Sequence, residues 1–342
     1  MDQHLLLCAM SVIDWDSPVS IVAYVVTVLV IFVSSFKYYL YLTCGKITSS
    51  RNMEGKTVII TGANSGIGKE TARDLAKRGA RIIMACRNMA TARVARDDII
   101  RESGNSNLII KHIDISSLVS VRNFAQDILR TEAVIDVLIH NAGVSQGFNN
   151  KVTSDGLDFT MATNCYGPFL LTHLLIDLVK KSDQGRIIIV SSKLYQYAAV
   201  RKDLSNINPI NYFSLFPVEL YNLSKFVEVM FTQELARRLA GTRVTANCLH
   251  PGVVDTGIWR NVPFPLNLLF KPIKMCLRTP EEGARTTCFL AVSPDVENIS
   301  GEYFRGCKLT PLNRRVQNKE IQGKLWKAAQ ELVKLTENDP KI

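Results

Sequence analysis

Tyr221 and Lys225 stand four residues apart in "LYNLSKFV", residues 220–227. On a helix that spacing puts both side chains on one face. An ammonium beside a phenol suits acid–base chemistry, because a neighbouring positive charge favours the phenolate. Of the ten tyrosines, Tyr221 alone is followed by Lys at that distance. The same letters carry a competing reading. Asn222-Leu223-Ser224 fits the acceptor pattern for N-glycosylation, which belongs on a surface loop in a secretory compartment. Asn298-Ile299-Ser300 fits it as well.

A second stretch, "TGANSGIGKE" at 61–70, spaces Gly62, Gly66 and Gly68 as G-x-x-x-G-x-G, with Asn64, Ser65 and Ile67 filling the turn. Glycines there let backbone N–H groups approach a pyrophosphate closely. The helix expected from Lys69 to Arg78 would aim its positive N-terminus at that anion. A glycine triplet alone is weak evidence. Between a β-branched strand and a helix closed by Gly79 it is strong. The next strand ends Ala85-Cys86-Arg87, where an NAD site would place an acid for the ribose 2′-hydroxyl. Arg87 suits a 2′-phosphate instead, so NADP(H) is preferred; a solvated surface arginine is the alternative. Asp114 and Asn141-Ala142-Gly143 close the third and fourth strands, where adenine and the nicotinamide ribose are expected.

These groups need a scaffold, and the pattern supplies one. Predicted strands are Thr57–Thr61, Arg81–Ala85, Leu108–His112, Val134–His140, Arg186–Ser191 and Arg243–Leu249, separated by helix-length segments. Near-continuous apolar strands alternating with helices imply a doubly wound α/β domain with a mostly parallel sheet. Ligands then sit at the carboxyl ends of the strands. No repeat or linker interrupts residues 56–312, which read as one domain.

Ahead of it, Val19–Phe36 holds no charge, and eighteen helical residues would span about 27 Å, close to a bilayer's hydrocarbon core. Asp2, Asp14 and Asp16 precede it; Lys37, Lys46, Arg51 and Lys56 follow. The positive-inside rule puts the N-terminus in the lumen and the remainder in the cytosol. A signal peptide would begin with basic residues, and a core helix would show a polar face. The net charge of +10, from 41 Lys plus Arg against 31 Asp plus Glu, suits anionic ligands or an acidic membrane surface. The basic residues are spread along the chain without interleaved aromatics, so nucleic acid is not an expected partner. Eight cysteines show neither a C-x-x-C pair nor metal-ligand spacing, so no metal is expected and the thiols read as free and buried in a reducing compartment.

The combination of TGANSGIG (61–68), HNAG (140–143), Asn164, VSS (190–192), YNLSK (221–225) and HPGVVDT (250–256) resembles the short-chain dehydrogenase/reductase family, over most of the chain. "ACRN" at 85–88, "YFRGCK" at 303–308, the terminal "KLWKAAQELVKL" and the apolar N-terminal segment make it most similar to the retinol dehydrogenase-like branch. The resemblance implies a Rossmann fold and NADP(H)-dependent hydride transfer. Tyr221 would exchange a proton with the substrate oxygen, and Lys225 would lower the phenol's pKa and hold the nicotinamide ribose. Ser192 would donate to the substrate oxygen, chosen over Ser191 as the motif's second serine. Asn164, in the helix-like segment 157–180, would anchor a relay water. Pro251, Gly252, Val254 and Thr256 would shape the loop over the nicotinamide.

Three departures stand out. His140 replaces the family's usual Asn and reads as structural, bonded to a neighbouring strand. Residues 193–220 lengthen the gap between serine and tyrosine. Residues 258–277 are apolar but hold Pro263, Pro265 and Pro272, and read as a substrate lid rather than a membrane span. The expected layout is a lumenal N-terminus (1–18), an anchor (19–36), a linker (37–55), a catalytic domain (56–312) with its lid at about 255–280, and an amphipathic C-terminal helix and tail (313–342). The expected protein is an oxidoreductase of the endoplasmic reticulum membrane acting on an apolar alcohol or carbonyl, retinol and retinal first, with homo-oligomers possible. A ketosteroid or other lipid-carbonyl reductase, and a non-catalytic NADP-binding scaffold, are the alternatives. In a cytosolic domain both glycosylation patterns are coincidences of letters.

Overall fold

Thr57–Thr61 (β1) is β-branched at every position and buried throughout, which suits a central strand covered on both faces. The computed structural model describes residues 17–146, 151–210, 218–255 and 277–342. From β1 the chain winds through α2 (Gly66–Lys77), β2 (Arg81–Cys86), α3 (Met89–Ser103), β3 (Leu108–His112), α4 (Leu118–Thr131) and β4 (Val137–His140). A short α5 (Phe159–Met161) and a π-helical turn (Ala162–Tyr166) lead into α6 (Gly167–Lys180). Then come β5 (Gly185–Val190), α7 (Glu219–Arg238), β6 (Val244–His250), α8 (Pro280–Val292), β7 (Tyr303–Arg305), β8 (Lys308–Thr310) and α9 (Lys319–Leu332). The helix preceding β1, α1, covers Pro18–Leu42.

The sheet order is β3-β2-β1-β4-β5-β6-β7-β8, parallel except for β8. Strand order progresses to opposite sides from β1 and β4, so the carboxyl ends of those strands border a crevice. Strand residues alternate between two apolar layers. Ile59, Ile83, Leu138 and Ile187 face α4, α6, α7 and α9, whereas Val58, Ile60, Met84 and Ile139 face α2, α3 and α8. Each such side chain taken fully from water contributes about 1.5–3 kcal/mol.

Several boundaries differ from the sequence reading. β4 begins at Val137, not Val134, because the chain turns at Asp136 to aim its carboxylate at the Thr57 amide (2.9 Å), Lys56 Nζ (3.0 Å) and the Ser182 hydroxyl (2.7 Å). α2 begins at Gly66, three residues early, so two of the three glycines lie in its first turn. The segment 157–180 is not one α-helix. Gly167 donates to the Ala162 carbonyl, five residues back, and Pro168 has no N–H to restore the α pattern at once. Asn164 lies inside this π turn. The strands β7 and β8 had no counterpart in the sequence reading. His140 bonds Thr172 of α6 (2.8 Å) rather than a neighbouring strand.

α1 has 25 residues, longer than the 19–36 expected, and none of the described residues in its most apolar window is buried. Its end is fastened to the body. Arg278, itself buried, donates to the Leu40 carbonyl (3.3 Å), the Thr43 hydroxyl (3.0 Å) and the Pro251 carbonyl (3.2 Å). The next turn is held by backbone contact: a Cβ on Gly45 would lie 2.3 Å from the Gly306 carbonyl oxygen. The Cys44 thiol donates to Glu282 O (3.3 Å), Ser49 to Val292 O (3.3 Å), and Arg51 pairs with Glu297 (2.6 Å).

Burial also makes the fold pH-sensitive. Desolvation pushes His140 and His250 down to about 3, from an ordinary 6.5. Below pH 6.5 the unfolded chain therefore binds protons that the folded chain does not. The stability these residues confer is present above pH 6.5 and drains as pH falls toward 3. Each histidine costs about 1.4 kcal/mol per pH unit in that window. Denaturant unfolding at pH 7 and pH 5 should show a shallower loss for His140→Gln than for the native chain; equal slopes would refute the assignment.

Candidate active site

The site collects at the carboxyl ends of β1, β4, β5 and β6. At β1, the Thr61 hydroxyl accepts from the amides of Asn141 and Ala142, each 3.0 Å away. Asn141 returns its side-chain amide to the carbonyls of Thr61 (2.9 Å) and Gly62 (3.3 Å), tying the glycine turn to the end of β4. Ser65 precedes α2 without spending its side chain on a cap, so first-turn amides remain for an anion. Ile67 and Gly68 complete that turn, and Asn64 bonds the Thr91 hydroxyl (2.8 Å). At the end of β2, the Arg87 side chain is 61% exposed and only 3.8 Å from Asp114. Such a loose, wet pair contributes little and leaves the guanidinium free to re-pair. Asp114 meanwhile accepts from the Ser116 hydroxyl at 2.6 Å.

The second half surrounds α7. Tyr221 lies in its first turn and Lys225 one turn on, with Nζ 5.4 Å from the phenol ring centre. Ser192, just past β5, adjoins the Tyr221 phenol, and its oxygen accepts from the Leu194 amide (3.2 Å). Ser191 points away and donates to the Lys225 carbonyl (3.2 Å). Asn164 is wholly committed: its oxygen accepts from Val144 N (2.8 Å), and its amide donates to Val144 O (3.0 Å) and Ser224 Oγ (2.8 Å). It thus pins the loop after β4 to α7. Asn222 and Ser224 are buried in the helix, which is no setting for a glycan acceptor. Pro251 and Val254 are buried on the far lip beside Gly252, held there by Arg278. Thr256 and residues 256–276, most of the lid expected at about 255–280, lie outside the described residues.

Lys225 donates to the Val190 carbonyl (3.0 Å) and to Glu228 Oε1 (2.8 Å), which leaves one N–H. That proton is available to the gap at Gly143, where a Cβ would stand 3.5 Å from Lys225 Nζ and 3.6 Å from Asn164 Oδ1. Lys225 acts on the phenol in the expected direction, but burial opposes it. Burial raises the Tyr221 pKa; Lys225 pulls it down and Glu228 pushes it up, and the net shift is upward. Burial opposes the Lys225 charge most strongly, yet Glu228 and Tyr221 together, with Cys165, hold the ammonium above its ordinary range.

Tyr221, Lys225, Ser192 and the glycine turn, all legible in the sequence, come together in one crevice. Glu228 and Arg278 are additions that only the fold reveals. Glu228 is visible as an i+3 partner of Lys225, but helices carry many such pairs on solvated faces. Arg278 carried no signal, since its partners lie far off in sequence.

A shared ancestry underlies this arrangement. The sequence model of the short chain dehydrogenase family matches residues 56–202. The human protein Retinol dehydrogenase 14 is 43% identical over 301 residues, covering 83% of this chain and 88% of its own. Mouse Retinol dehydrogenase 12 is 38% identical, covering 89% and 98%. A crystal structure of a Mycobacterium Paratuberculosis protein superposes with a TM-score of 0.64 at 29% identity, covering 83% of this chain and 95% of that one. A short chain dehydrogenase from Escherichia coli CFT073, crystallised with NADPH, gives 0.59 at 25% identity, covering 75% and 98%. The chain belongs to the short-chain dehydrogenase/reductase family. Within it the resemblance is to the retinol dehydrogenases, and the protein is an oxidoreductase acting on the CH–OH group of donors.

Proposed function

We propose that the chain is a membrane-anchored, NADP(H)-dependent enzyme that interconverts an apolar alcohol and its carbonyl, with retinol and retinal the leading pair. The observation that carries this reading is the convergence of Ser192, Tyr221 and Lys225 beside the glycine turn. Bound NADP(H) supplies or accepts the hydride. The turn from Gly62 through Asn64, Ser65, Gly66, Ile67 and Gly68 holds its pyrophosphate, Arg87 its 2′-phosphate, and Asp114 lies by the adenine. Asn141, Ala142 and Gly143 would border the nicotinamide ribose, to which Lys225 would donate a hydrogen bond through its remaining N–H. Pro251, Gly252, Val254 and Thr256 form the lip over the nicotinamide.

In the reducing direction Ser192 donates to the substrate oxygen, where negative charge develops. Tyr221 transfers its proton to that oxygen as the carbon receives hydride, and the phenolate left behind is stabilised by Lys225. Asn164 fixes the loop on which this geometry depends, and only the second lone pair of its amide oxygen remains to anchor a relay water. A lipid-dissolved substrate partitions into the bilayer, which an enzyme anchored by α1 samples directly. The charge asymmetry around α1 supports a lumenal N-terminus and a cytosolic catalytic domain on the endoplasmic reticulum, where NADPH favours reduction. We extend this to the layout of anchor, linker, catalytic domain with lid, and C-terminal helix.

Membranes carrying the full chain, assayed with NADPH against retinal, steroid ketones and lipid aldehydes, test the proposal. Tyr221-dependent turnover of retinal supports it. Turnover of a steroid or lipid aldehyde alone replaces the substrate, and none at all sinks the enzymatic reading. Cofactor choice has its own test. Arg87→Asp should raise the NADPH Kd about 10–100-fold, the value of a lost charge-assisted contact, with little change for NADH. Equal losses for the two cofactors in a fluorescence titration would remove Arg87 from the 2′-phosphate.

A further inference from the structure

Glu228 lies one turn beyond Lys225 on the buried side of α7, and both side chains are only 4% exposed. Its Oε1 accepts from Lys225 at 2.8 Å. The groups around it are few. On its own helix it faces Lys225 and Tyr221, at the end of β5 Ser191, in the π turn Cys165, and on β6 Cys248. Burial pushes both thiols up, Cys248 to about 12, so they are neutral at physiological pH. The Ser191 hydroxyl adjoins the carboxylate but donates to the Lys225 carbonyl, which leaves Oε2 without a hydrogen-bond partner among the described residues.

A buried carboxylate with a spare oxygen is a costly way to hold an ammonium. A neutral amide of the same length would offer the same acceptor. Burial pushes the Glu228 pKa up and the Lys225 ammonium pulls it back. What the carboxylate adds, held ionised by that contact, is charge placed next to the cation that acts on Tyr221. We infer that Glu228 is a positioning residue that fixes Lys225 against the Val190 carbonyl and offsets its charge, so that Tyr221 rests as a phenol, loaded as a proton donor. The inference rests on the acid–base role proposed above for Tyr221.

The consequence is read in the pH profile. In reduction the substrate oxygen takes the phenol proton while the carbon receives hydride, and the phenolate regains a proton from solvent. In alcohol oxidation the phenolate must form first. By holding the proton on Tyr221, Glu228 moves the bend of both limbs to higher pH, and the ratio of the two directions at any one pH stays fixed by the overall equilibrium.

The test uses the full chain in lipid nanodiscs without substrate. Tyrosinate absorbance is followed against pH, with the Tyr221→Phe chain subtracted in each background. The native Tyr221 midpoint is the reference against which each variant is read. Glu228→Gln keeps the acceptor and removes the charge, and should lower the midpoint by about one pH unit. The same acid shift should appear in kcat/KM, with the oxidation limb rising earlier and the reduction limb falling earlier. Glu228→Asp, which retains the charge, should leave the midpoint near its native place. A folded Glu228→Gln chain with an unmoved midpoint refutes the inference, since a merely structural ion pair would change stability alone. The absorbance readout needs no turnover, so a negative substrate panel and a failure of this inference are distinguishable.

Discussion

Tyr221→Phe is expected to lower kcat/KM for carbonyl reduction about 10²–10⁴-fold while leaving the NADPH Kd within about twofold. The substitution removes one oxygen and keeps the ring, so the packing of α7 survives. Lys225 keeps Val190 and Glu228 as partners, because neither bond involves the phenol. Ser192 still donates to the substrate oxygen, which accounts for residual rate. The loss should fall on kcat rather than on KM, since the proton moves only in the reacting state. Steady-state kinetics beside a cofactor fluorescence titration separate the two. A large loss of NADPH affinity instead would mean that Tyr221 serves binding, not proton transfer.

Trp326→Ala should be the most destabilising single truncation away from the site, at about 3–5 kcal/mol. Trp326 is buried at the centre of an aromatic group. Its ring centre lies 4.7 Å from Phe169, 5.3 Å from His173 and 6.2 Å from Phe231, with the Phe contacts edge-on. Arg238 stacks on it at 4.7 Å. Phe169 and His173 belong to α6, and Phe231 and Arg238 to α7, so this one side chain of α9 joins both helices. Its indole N–H has no partner among the described residues, so the loss is one of packing. Urea unfolding should show the drop, with exposed Leu309→Ala close to neutral as the comparison. A cost under about 1 kcal/mol would show that α9 is a surface appendage and not part of the core supporting Tyr221.

Features set by neighbours in sequence were legible before the structure. The β-branched run of β1, the glycine turn and the four-residue spacing of Tyr221 and Lys225 depend on local geometry. Their partners in space were not. The π turn around Asn164 arises from Pro168 and tight packing at Gly167, and its letters read as ordinary helix. Glu228 reads as a surface pair until the fold buries that face of α7. The three-residue strand β7 is too short to carry a period and gains its identity only by pairing with β6. The net rise in the Tyr221 pKa was likewise invisible, because desolvation depends on what covers the phenol.

The attachment of α1 has one more consequence. A 25-residue helix is about 37 Å long, several ångströms more than a typical hydrocarbon core, and long spans relieve that excess by tilting. In most tethered enzymes a loose linker absorbs the tilt. Here the Gly45–Gly306 backbone contact and the Arg278 bridge leave no slack between the helix and the loop at Pro251. With α1 spanning the bilayer as proposed, tilt becomes rotation of the whole catalytic body. Bilayer thickness would then set the angle at which the crevice meets the membrane surface, making lipid composition a mechanical input to substrate entry.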